Sequence, residues 1–468
     1  MTNDKKKGIK NPRKSLYLDL SFLGTLIFFL FRIPITNIIG NEGNGYFAFS
    51  WELYTVLGLF FGHCLSYTVS EMVRKRVRRN QHQNSSSVLT ASLILGFILS
   101  AIGLLISYFV SDILLSSISM KLSGISFRLL GVLLIFSSLS GVFCGYFEGT
   151  GTKIPTSFSK IIEGFIAGTG ALVFTSVLSK YGTKVGALLF NEQYKPAFGA
   201  TGIVAGCICG TIFALLFLLV INLMYQTPLK QLFKKQALVE RESTGKIFKE
   251  MGKLFLITFL EIAFFNVFRI VNMWFYIKAT LLTDTKDKIV QYLGSYHGKV
   301  LVITTVAILA ILIFTGRNIR KIHNSYHKHA LKHSWKYFCD DMKQLIILSL
   351  PVTIILAVFA KNIFTFIYKS AGNTEVTMLQ IGSINIVLIT FTVYMYRILR
   401  KLDLKVFLIL IPVISFIIQT LAMSFMVKIP TIGALSLIIS EMIFWLLAAS
   451  MEALLCVKAL KQGFKSKI

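Results

Sequence analysis

Charged residues are scarce in this chain, and acidic residues are the scarcer kind. Only 15% of the 468 residues are charged, with 21 Asp and Glu against 49 Lys and Arg, while 54% are hydrophobic. This composition excludes a soluble globular protein and predicts a polytopic membrane protein. The net charge of +28 is concentrated between apolar runs. We therefore expect it to set the orientation in the membrane and to contact anionic lipids, and we expect no nucleic-acid partner.

Cysteine and the usual catalytic motifs are also sparse. The closest of the six cysteines, Cys207 and Cys209, are two apart in an apolar helix. They point to different faces, so we expect neither a disulfide nor a metal site. Gly145–Thr156, GYFEGTGTKIPT, lacks the preceding strand and the spacing of a phosphate loop. With no nucleophile–base arrangement and no cofactor motif, we predict that the protein is not an enzyme and needs no cofactor.

Four histidines lie on one basic loop, at positions His323, His327, His329 and His333. Two of their spacings match neighbouring turns of a helix, which is the arrangement of some metal ligands. The loop is crowded with Lys and Arg, whose positive charges oppose the binding of a cation. We therefore predict no metal site here.

Long apolar runs recur from end to end, which favours membrane helices over the weakly alternating strands of a β-barrel. Each run is about 20–28 residues long, enough to cross a bilayer with some tilt. The sequence predicts an all-α membrane protein with about twelve spans. Their predicted limits are 15–39, 45–72, 88–113, 123–147, 154–178, 201–224, 253–277, 294–315, 344–368, 376–398, 404–427 and 431–457.

Basic residues are unevenly shared between the two sides of these spans. With the N-terminus inside, the inner segments hold more than three times as many Lys and Arg as the outer ones. The main basic loops are Arg74–Arg79, Lys230–Lys249 and Arg317–Lys343. We predict a plasma-membrane protein with both termini in the cytoplasm. The apolar run after the basic start is too long for a signal peptide, so it is interpreted as the first span.

A charged linker at 226–250 divides the chain into six spans plus six. Because six is even, both halves start on the same side, as in transporters built from two parallel repeats around a central cavity. The predicted parts are a basic cytoplasmic segment at 1–14, an N-terminal lobe at 15–225, the basic linker at 226–250, a C-terminal lobe at 251–458 and a basic tail at 459–468.

Two segments give direct support for an internal repeat. Phe22–Ile33 reads FLGTLIFFLFRI and Phe259–Ile270 reads FLEIAFFNVFRI, with six of twelve positions identical at an offset of 237. Matches among apolar residues arise easily by chance, but a matched arginine inside a span is harder to obtain. We predict that Arg32 and Arg269 lie across a pseudo-twofold axis and line the cavity.

The stretch from Phe22 to Glu52 is predicted to form a helix, a tight turn at Gly40–Gly45 and a second helix. Arg32 and Glu52 then lie at one depth, roughly 10–12 Å from the turn. Charges at that depth are costly unless they are paired or face water. Two interpretations stay open: the residues line a cavity, or Arg32 and Glu52 form an ion pair that fixes helix packing.

Further charged residues fall inside the predicted spans. Those in the outer half are Arg32, Glu52, Arg128, Arg269 and Lys361. Their positive excess predicts a cavity that binds a phosphate or pyrophosphate, which arginine engages bidentately. For Arg128 and Lys361, which lie near span ends, we favour side chains that reach the interface, whereas for Arg32 and Arg269 we favour a ligand role. In the inner half, Glu163 and Glu261 are candidate sites for a coupling proton or cation, with structural pairing, for example to Lys160, as the alternative.

Several segments resemble one transporter branch. They are RIPITNIIGNEGNGYFAF at Arg32–Phe49, SYTVSEMV at Ser66–Val73, SGVFCGYFEGTGTKIPTSFSKIIEG at Ser140–Gly164, KPAFGATGIVAG at Lys195–Gly206 and SLPVTIILAVFAKNIFTFIY at Ser349–Tyr368. They resemble the polysaccharide-exporter branch of the multidrug/oligosaccharidyl-lipid/polysaccharide (MOP) superfamily, and in particular its stage V sporulation protein B-like and lipid II flippase-like families.

The resemblance implies a two-lobed, alternating-access flippase. Its expected substrate is an undecaprenyl-pyrophosphate-linked saccharide moved from the inner to the outer leaflet, and its cavity arginines correspond to Arg32 and Arg269. Many relatives have two more spans that form a groove for the lipid tail. Polysaccharide-synthesis proteins remain open as partners. The alternatives are a cation-coupled multidrug antiporter, which requires acidic site residues, and a non-transporting scaffold of envelope synthesis.

Overall fold

The computed structural model describes residues 19–117, 120–234, 242–281, 284–429 and 432–462, and these form helices and short connections without a strand. The predicted basic segment at 1–14 and most of the predicted tail at 459–468 lie outside the described residues. Spans of this kind are helical because a lipid environment offers no partners for backbone N–H and C=O groups, which must therefore bond within the helix.

Eleven helices in the described residues are long and apolar enough to cross a membrane. The first, Leu23–Arg78, has 56 residues and is interrupted at Gly40, whose φ of 66° and ψ of −169° are not helical. The rings of Phe28 and Trp51 stack 5.7 Å apart, whereas 23 residues of straight helix would separate them by about 35 Å. The chain therefore reverses at Gly40, and the described residues make the twelve passes that the sequence predicts.

We number these passes spans 1 to 12. Their limits are 23–39, 41–78, His82–Ser117, Lys121–Thr150, Ile154–Leu188, Tyr194–Lys234, Thr244–Thr280, Lys286–Ile313, Leu331–Val358, Asn373–Lys401, Lys405–Met426 and Leu435–Gln462. Short helices at Ile319–His327 and Ala360–Tyr368 follow spans 8 and 9. Spans 6 and 7 both extend into the predicted linker at 226–250, of which residues 235–241 lie outside the description.

The fold consists of two lobes of six helices, and a matched irregularity supports the predicted repeat. A π-helical turn occupies Leu59–Cys64 in span 2, and another occupies Tyr296–Val300 in span 8. Their starts are 237 residues apart, the same offset that aligns Arg32 with Arg269. Because π-helical turns are rare and frequent at functional sites, two of them at this offset support a real internal repeat.

The lobes approach each other most closely where spans 1 and 2 meet span 8. We call the membrane side that carries Gly40 the turn side. A Cβ atom added at Gly45 would lie 2.1 Å from the carbonyl oxygen of Val290, and one at Gly294 would lie 1.6 Å from that of Asn41. Both separations are shorter than any real Cβ contact, so only glycine allows these backbones to touch. The seam between the lobes is thus closed on the turn side.

The opposite side, which carries Arg74–Arg79, is called the basic side. Asp19, predicted within the first span, lies before span 1 and accepts a 2.6 Å hydrogen bond from Arg397 of span 10. Burial of the Asp19 carboxylate raises its pKa, but the hydrogen bond from Ser21 and the charge of Arg397 lower it more, leaving the pKa below its ordinary value. On this side the lobes are therefore joined partly through long charged side chains.

Candidate functional site

Arg32 lies buried in span 1, with 3% of its surface exposed. Its Nη2 donates a 2.8 Å hydrogen bond to Oδ1 of Asn44, and its guanidinium carbon lies 4.4 Å from the centroid of the Phe47 ring. Its Nη1 has no hydrogen-bond partner among the described residues. Arg32 is therefore held by neutral groups and keeps a buried donor without an acceptor.

The ion pair between Arg32 and Glu52, one of the two interpretations left open by the sequence, does not form. The sequence placed the second helix after Gly45, but the helix resumes at Asn41. Four extra helical residues move Glu52 roughly 6 Å further from the turn than Arg32. Asn44 and Phe47 occupy the position opposite Arg32 instead.

Arg269, the repeat counterpart of Arg32, has a charged partner. Its Nη2 lies 2.5 Å from Oε1 of Glu441 in span 12. The same carboxylate accepts hydrogen bonds from the hydroxyl of Tyr296 at 2.6 Å and from the indole of Trp445 at 3.3 Å. The Nε of Arg269 has no hydrogen-bond partner in the described part of the chain. Glu441 therefore holds Arg269 in place and links span 12 to spans 7 and 8.

Glu52 meets His297 across the seam. Oε1 of Glu52 lies 3.5 Å from Nε2 of His297, which sits in the π-helical turn of span 8. Both residues are buried, at 1% and 4% exposure. The charges of Arg32 and Arg269 both act on the His297 ring, and those of Arg269 and Glu441 act on Glu52. These residues form one cluster, which we call the central group: Arg32, Asn44, Glu52, Arg269, Tyr296, His297 and Glu441.

Two predicted cavity residues lie elsewhere. Arg128 is on an exposed face of span 4, where its Nε donates a 3.3 Å hydrogen bond to Ser111 and its guanidinium lies 5.2 Å from the Tyr108 ring. Lys361 is exposed on the short helix Ala360–Tyr368. The structure therefore does not bring Arg128 or Lys361 to the central group.

The two coupling candidates each have a cationic neighbour. Glu163 lies 2.7 Å from Lys160, which is the pairing that the sequence offered as an alternative. Glu261 is buried, and its Oε2 lies 3.3 Å from Nη2 of Arg400. Roles for Glu163 and Glu261 in coupling stay predictions.

A cavity of about 210 Å³ opens inside the first lobe beside Glu163. Its walls include Trp51, Tyr54, Lys160 and Cys207. Cys207 also lies near the guanidinium of Arg32. The cavity therefore lies next to the central group on the first-lobe side.

Sequence reasoning missed a second contact between the lobes, on the turn side. Lys299 of span 8 places its ammonium 2.8 Å and 2.9 Å from the two carboxylate oxygens of Glu375 in span 10. Asn41 of the first lobe donates a 2.8 Å hydrogen bond to the same carboxylate. This contact borders a cavity of about 460 Å³ that Gly40 helps to line. The signal in the sequence was the polar run Tyr296–Lys299 inside an apolar span.

The formal charges of the central group balance. Arg32 and Arg269 carry two positive charges, and Glu52 and Glu441 carry two negative charges when His297 is neutral. Arg128 and Lys361, which lie outside the group, account for two of the three excess positive charges predicted for the outer half, and Glu441 offsets the third. The group nevertheless keeps unused N–H donors on both arginines, an arrangement suited to an added anion if the extra negative charge is compensated.

Sequence similarity to known proteins covers part of the chain. No protein-family model matches the chain. Stage V sporulation protein B of Bacillus subtilis (strain 168) is 22% identical over 194 residues, which is 41% of this chain and 35% of that protein. The match thus spans about a third of the length of this curated relative.

Solved structures match almost the whole chain. An inward-facing multidrug resistance MATE family transporter of the MOP superfamily has a TM-score of 0.72 at 15% identity, covering 95% of this chain and 96% of that one. The outward-facing conformation of such a transporter has a TM-score of 0.62 at 14% identity, with 95% of each chain covered. A MOP superfamily transporter from Pyrococcus furiosus Vc1 (DSM3638), described with a binding pocket of reverse polarity, scores 0.62 at 15% identity over 95% of each chain. The predicted resemblance is confirmed at the level of fold, since the chain has the MATE-like fold of two six-helix lobes.

Proposed function

We propose that the protein is an alternating-access transporter that moves an undecaprenyl-pyrophosphate-linked saccharide from the cytoplasmic to the outer leaflet of the plasma membrane. The MATE-like fold supports transport, and the similarity to stage V sporulation protein B supports the polysaccharide-exporter branch. The observation that carries the choice of an anionic substrate is Arg32, a buried guanidinium without a carboxylate within ion-pair distance in the described residues.

An unpaired buried charge costs several kcal/mol. Such a charge is kept where a ligand supplies the missing partner, and in membranes it marks a substrate pathway by default. The free Nη1 of Arg32 and the free Nε of Arg269 offer charge-assisted hydrogen bonds to a diphosphate, whose oxygens suit the planar guanidinium. In the proposed mechanism, both arginines bind the diphosphate while the saccharide follows it through the seam.

The contacts on the two sides of the seam suggest how the central group is exposed to one side of the membrane and then to the other. On the turn side, backbone contacts at Gly45 and Gly294 close the path, so opening requires the first lobe to separate from span 8. With the basic side in the cytoplasm, the membrane potential acts on any net charge that moves, at about 2.3 kcal/mol per charge per 100 mV. Rocking of the lobes about the central group would then deliver the diphosphate to the outer leaflet.

The test is flipping of a fluorescent undecaprenyl-pyrophosphate saccharide in liposomes that contain the purified protein. We expect Arg32→Ala to reduce the flipping rate more than tenfold with the protein still folded, and Arg269→Ala to reduce it together with stability. Arg320→Ala, an exposed arginine on the short helix Ile319–His327, is the matched control. Undiminished flipping by the double variant of Arg32 and Arg269 would refute the diphosphate site.

The antiporter alternative has one observation in its favour. The first-lobe cavity combines the aromatic rings of Trp51 and Tyr54 with the carboxylate of Glu163, which are groups that bind organic cations. Lys160 already neutralises that carboxylate at 2.7 Å, so the cavity as it stands is less suited to a cation. Drug efflux without flipping in the same liposomes would favour the antiporter.

A further inference from the structure

We propose that Glu52 and His297 form a proton-binding site, and that protons are taken up there when an anion binds at Arg32 and Arg269. The proposal rests on the anion site of the proposed function and adds the coupling ion.

Glu52 and His297 lie within ion-pair distance of each other but do not form a hydrogen bond. Nε2 of His297 lies 3.5 Å from Oε1 of Glu52 and makes no hydrogen bond within the described residues. Among the residues that the structure describes, the second oxygen of Glu52 has only a long 3.5 Å contact with the hydroxyl of Thr55. Buried polar atoms normally find partners, so a titratable pair left with spare capacity at the centre of the seam requires an explanation. A proton between Nε2 and Oε1 would supply the missing hydrogen bond.

The π-helical turn of span 8 makes this placement specific. Its first residue, Tyr296, bonds to Glu441, and its second, His297, faces Glu52. The third, Gly298, lies against the side chain of Asn44, where a Cβ atom would be 2.3 Å from Cγ. The adjacent residues Tyr296 and His297 therefore reach different helices, spans 12 and 2, and Gly298 packs against span 2 as well. Widened turns of this kind are frequent at functional sites.

Charge balance supplies the reason for proton uptake. The charged groups that face the pair are Arg32 from span 1, Arg269 from span 7 and Glu441 from span 12, while Tyr296 adds a hydroxyl. Towards the turn side, Lys299 and Glu375 neutralise each other. With His297 neutral the central group has no net charge, so a bound diphosphate would leave net negative charge in a low-dielectric site.

Protonation of His297, and then of Glu52, each adds one positive charge and offsets that excess. Two ligands that stabilise each other's binding are thermodynamically linked, and the linkage acts equally in both directions. A lower pH must therefore tighten anion binding, and anion binding must draw protons from solution. Because Glu52 and His297 belong to different lobes, the shared proton also bonds the lobes together while the anion is bound.

The experiment is calorimetric titration of inorganic pyrophosphate into the full-length protein in detergent, repeated in two buffers that differ in ionisation enthalpy. We expect the wild type to take up about one proton more per bound pyrophosphate than His297→Gln. Glu52→Gln gives an independent comparison, and thermal unfolding checks that both variants are folded. Protons that pyrophosphate itself exchanges on binding contribute to the wild type and to the variants, so the difference between them cancels this contribution.

The outcomes separate this proposal from the proposed function. Equal proton uptake by the wild type and both folded variants, with pyrophosphate still bound, would overturn the proton site and leave the flippase proposal intact. No binding of pyrophosphate by the wild type would overturn the anion site, and with it both proposals. Proton uptake that is lost in both variants while pyrophosphate binding persists would support the proton site.

Discussion

Arg32 and Arg269 occupy equivalent positions in the two lobes but are held in different ways. Arg269 is bound by the carboxylate of Glu441 at 2.5 Å, whereas Arg32 has the amide of Asn44 and the ring of Phe47. The two halves of the repeat therefore share the position of an arginine but not the residue that binds it. We therefore expect different roles for the two residues. Arg269 stabilises the fold of its lobe, whereas Arg32 is available to bind a ligand.

The largest expected effect comes from removing each arginine in turn. Arg269→Met leaves Glu441 buried without its cation, so the free energy of unfolding should fall by about 3–5 kcal/mol. Arg32→Met removes a buried charge that has no counter-ion, so the change should stay within about 1 kcal/mol, even though flipping is lost. Unfolding in detergent micelles measures both, with Arg320→Met as the exposed control. Equal losses for the two variants would abolish the distinction between them.

A second change makes Arg269 resemble Arg32. Glu441→Gln keeps the shape and the acceptor for Tyr296 and removes the charge, so we expect a loss of about 2–3 kcal/mol in the free energy of unfolding. A double-mutant cycle with Arg269→Met should give a coupling energy of about 1–3 kcal/mol. Additive losses would show that the 2.5 Å contact does not stabilise the protein.

Replacing Asn44 tests how much its uncharged amide stabilises Arg32. Asn44→Ala removes the acceptor of Arg32 and the donor to the carbonyl oxygen of Gly40 at 2.8 Å. We expect a loss of about 1–3 kcal/mol, and a smaller loss when Arg32→Met is already present. If the loss is the same in both backgrounds, Asn44 stabilises the turn alone and Arg32 gains nothing from it.

The smallest effect is expected for the ion pair between Asp19 and Arg397, at the basic-side end of the spans. The pKa of Asp19 is lowered in the folded protein, so its stabilisation is present above its ordinary pKa and is lost as pH falls through the folded pKa. Since Arg397 is partly exposed, the pair contributes about 1 kcal/mol or less. Unfolding of wild type and Asp19→Asn from pH 7 down to pH 3 should show a difference that is constant above the ordinary pKa and shrinks as the pH falls below it. A difference that grows with acidity would contradict this sign.

Local sequence signals predicted much of this architecture. Apolar runs gave the twelve spans because each helix satisfies its own backbone hydrogen bonds in lipid, independent of its neighbours. The Phe–Arg motif predicted the repeat, and the π-helical turns at Leu59–Cys64 and Tyr296–Val300 support it at the same offset. Such features depend on residues close in the chain, so they can be derived without knowing how the helices pack.

The partners within the central group could not be derived in this way. Arg269 and Glu441 are 172 residues apart, and nothing in either segment specifies the other. The prediction that Arg32 and Glu52 lie at one depth was wrong, because the second helix starts at Asn41 instead of Gly45 and this shifts Glu52 by about one helical turn. His297 was missed because its importance arises only when span 8 is placed against spans 1 and 2.

The separation of these partners along the chain also orders events during synthesis. Arg32 and Asn44 are 12 residues apart in one hairpin, so Arg32 enters the bilayer together with its partner. Glu441 is synthesised 172 residues after Arg269. At a synthesis rate of about 5–20 residues per second, the interval between them is roughly 10–30 s. During that interval the seventh span must hold an unpartnered guanidinium in or near the membrane. The second lobe therefore has a stage of assembly that the first lobe does not share, and the last span ends it.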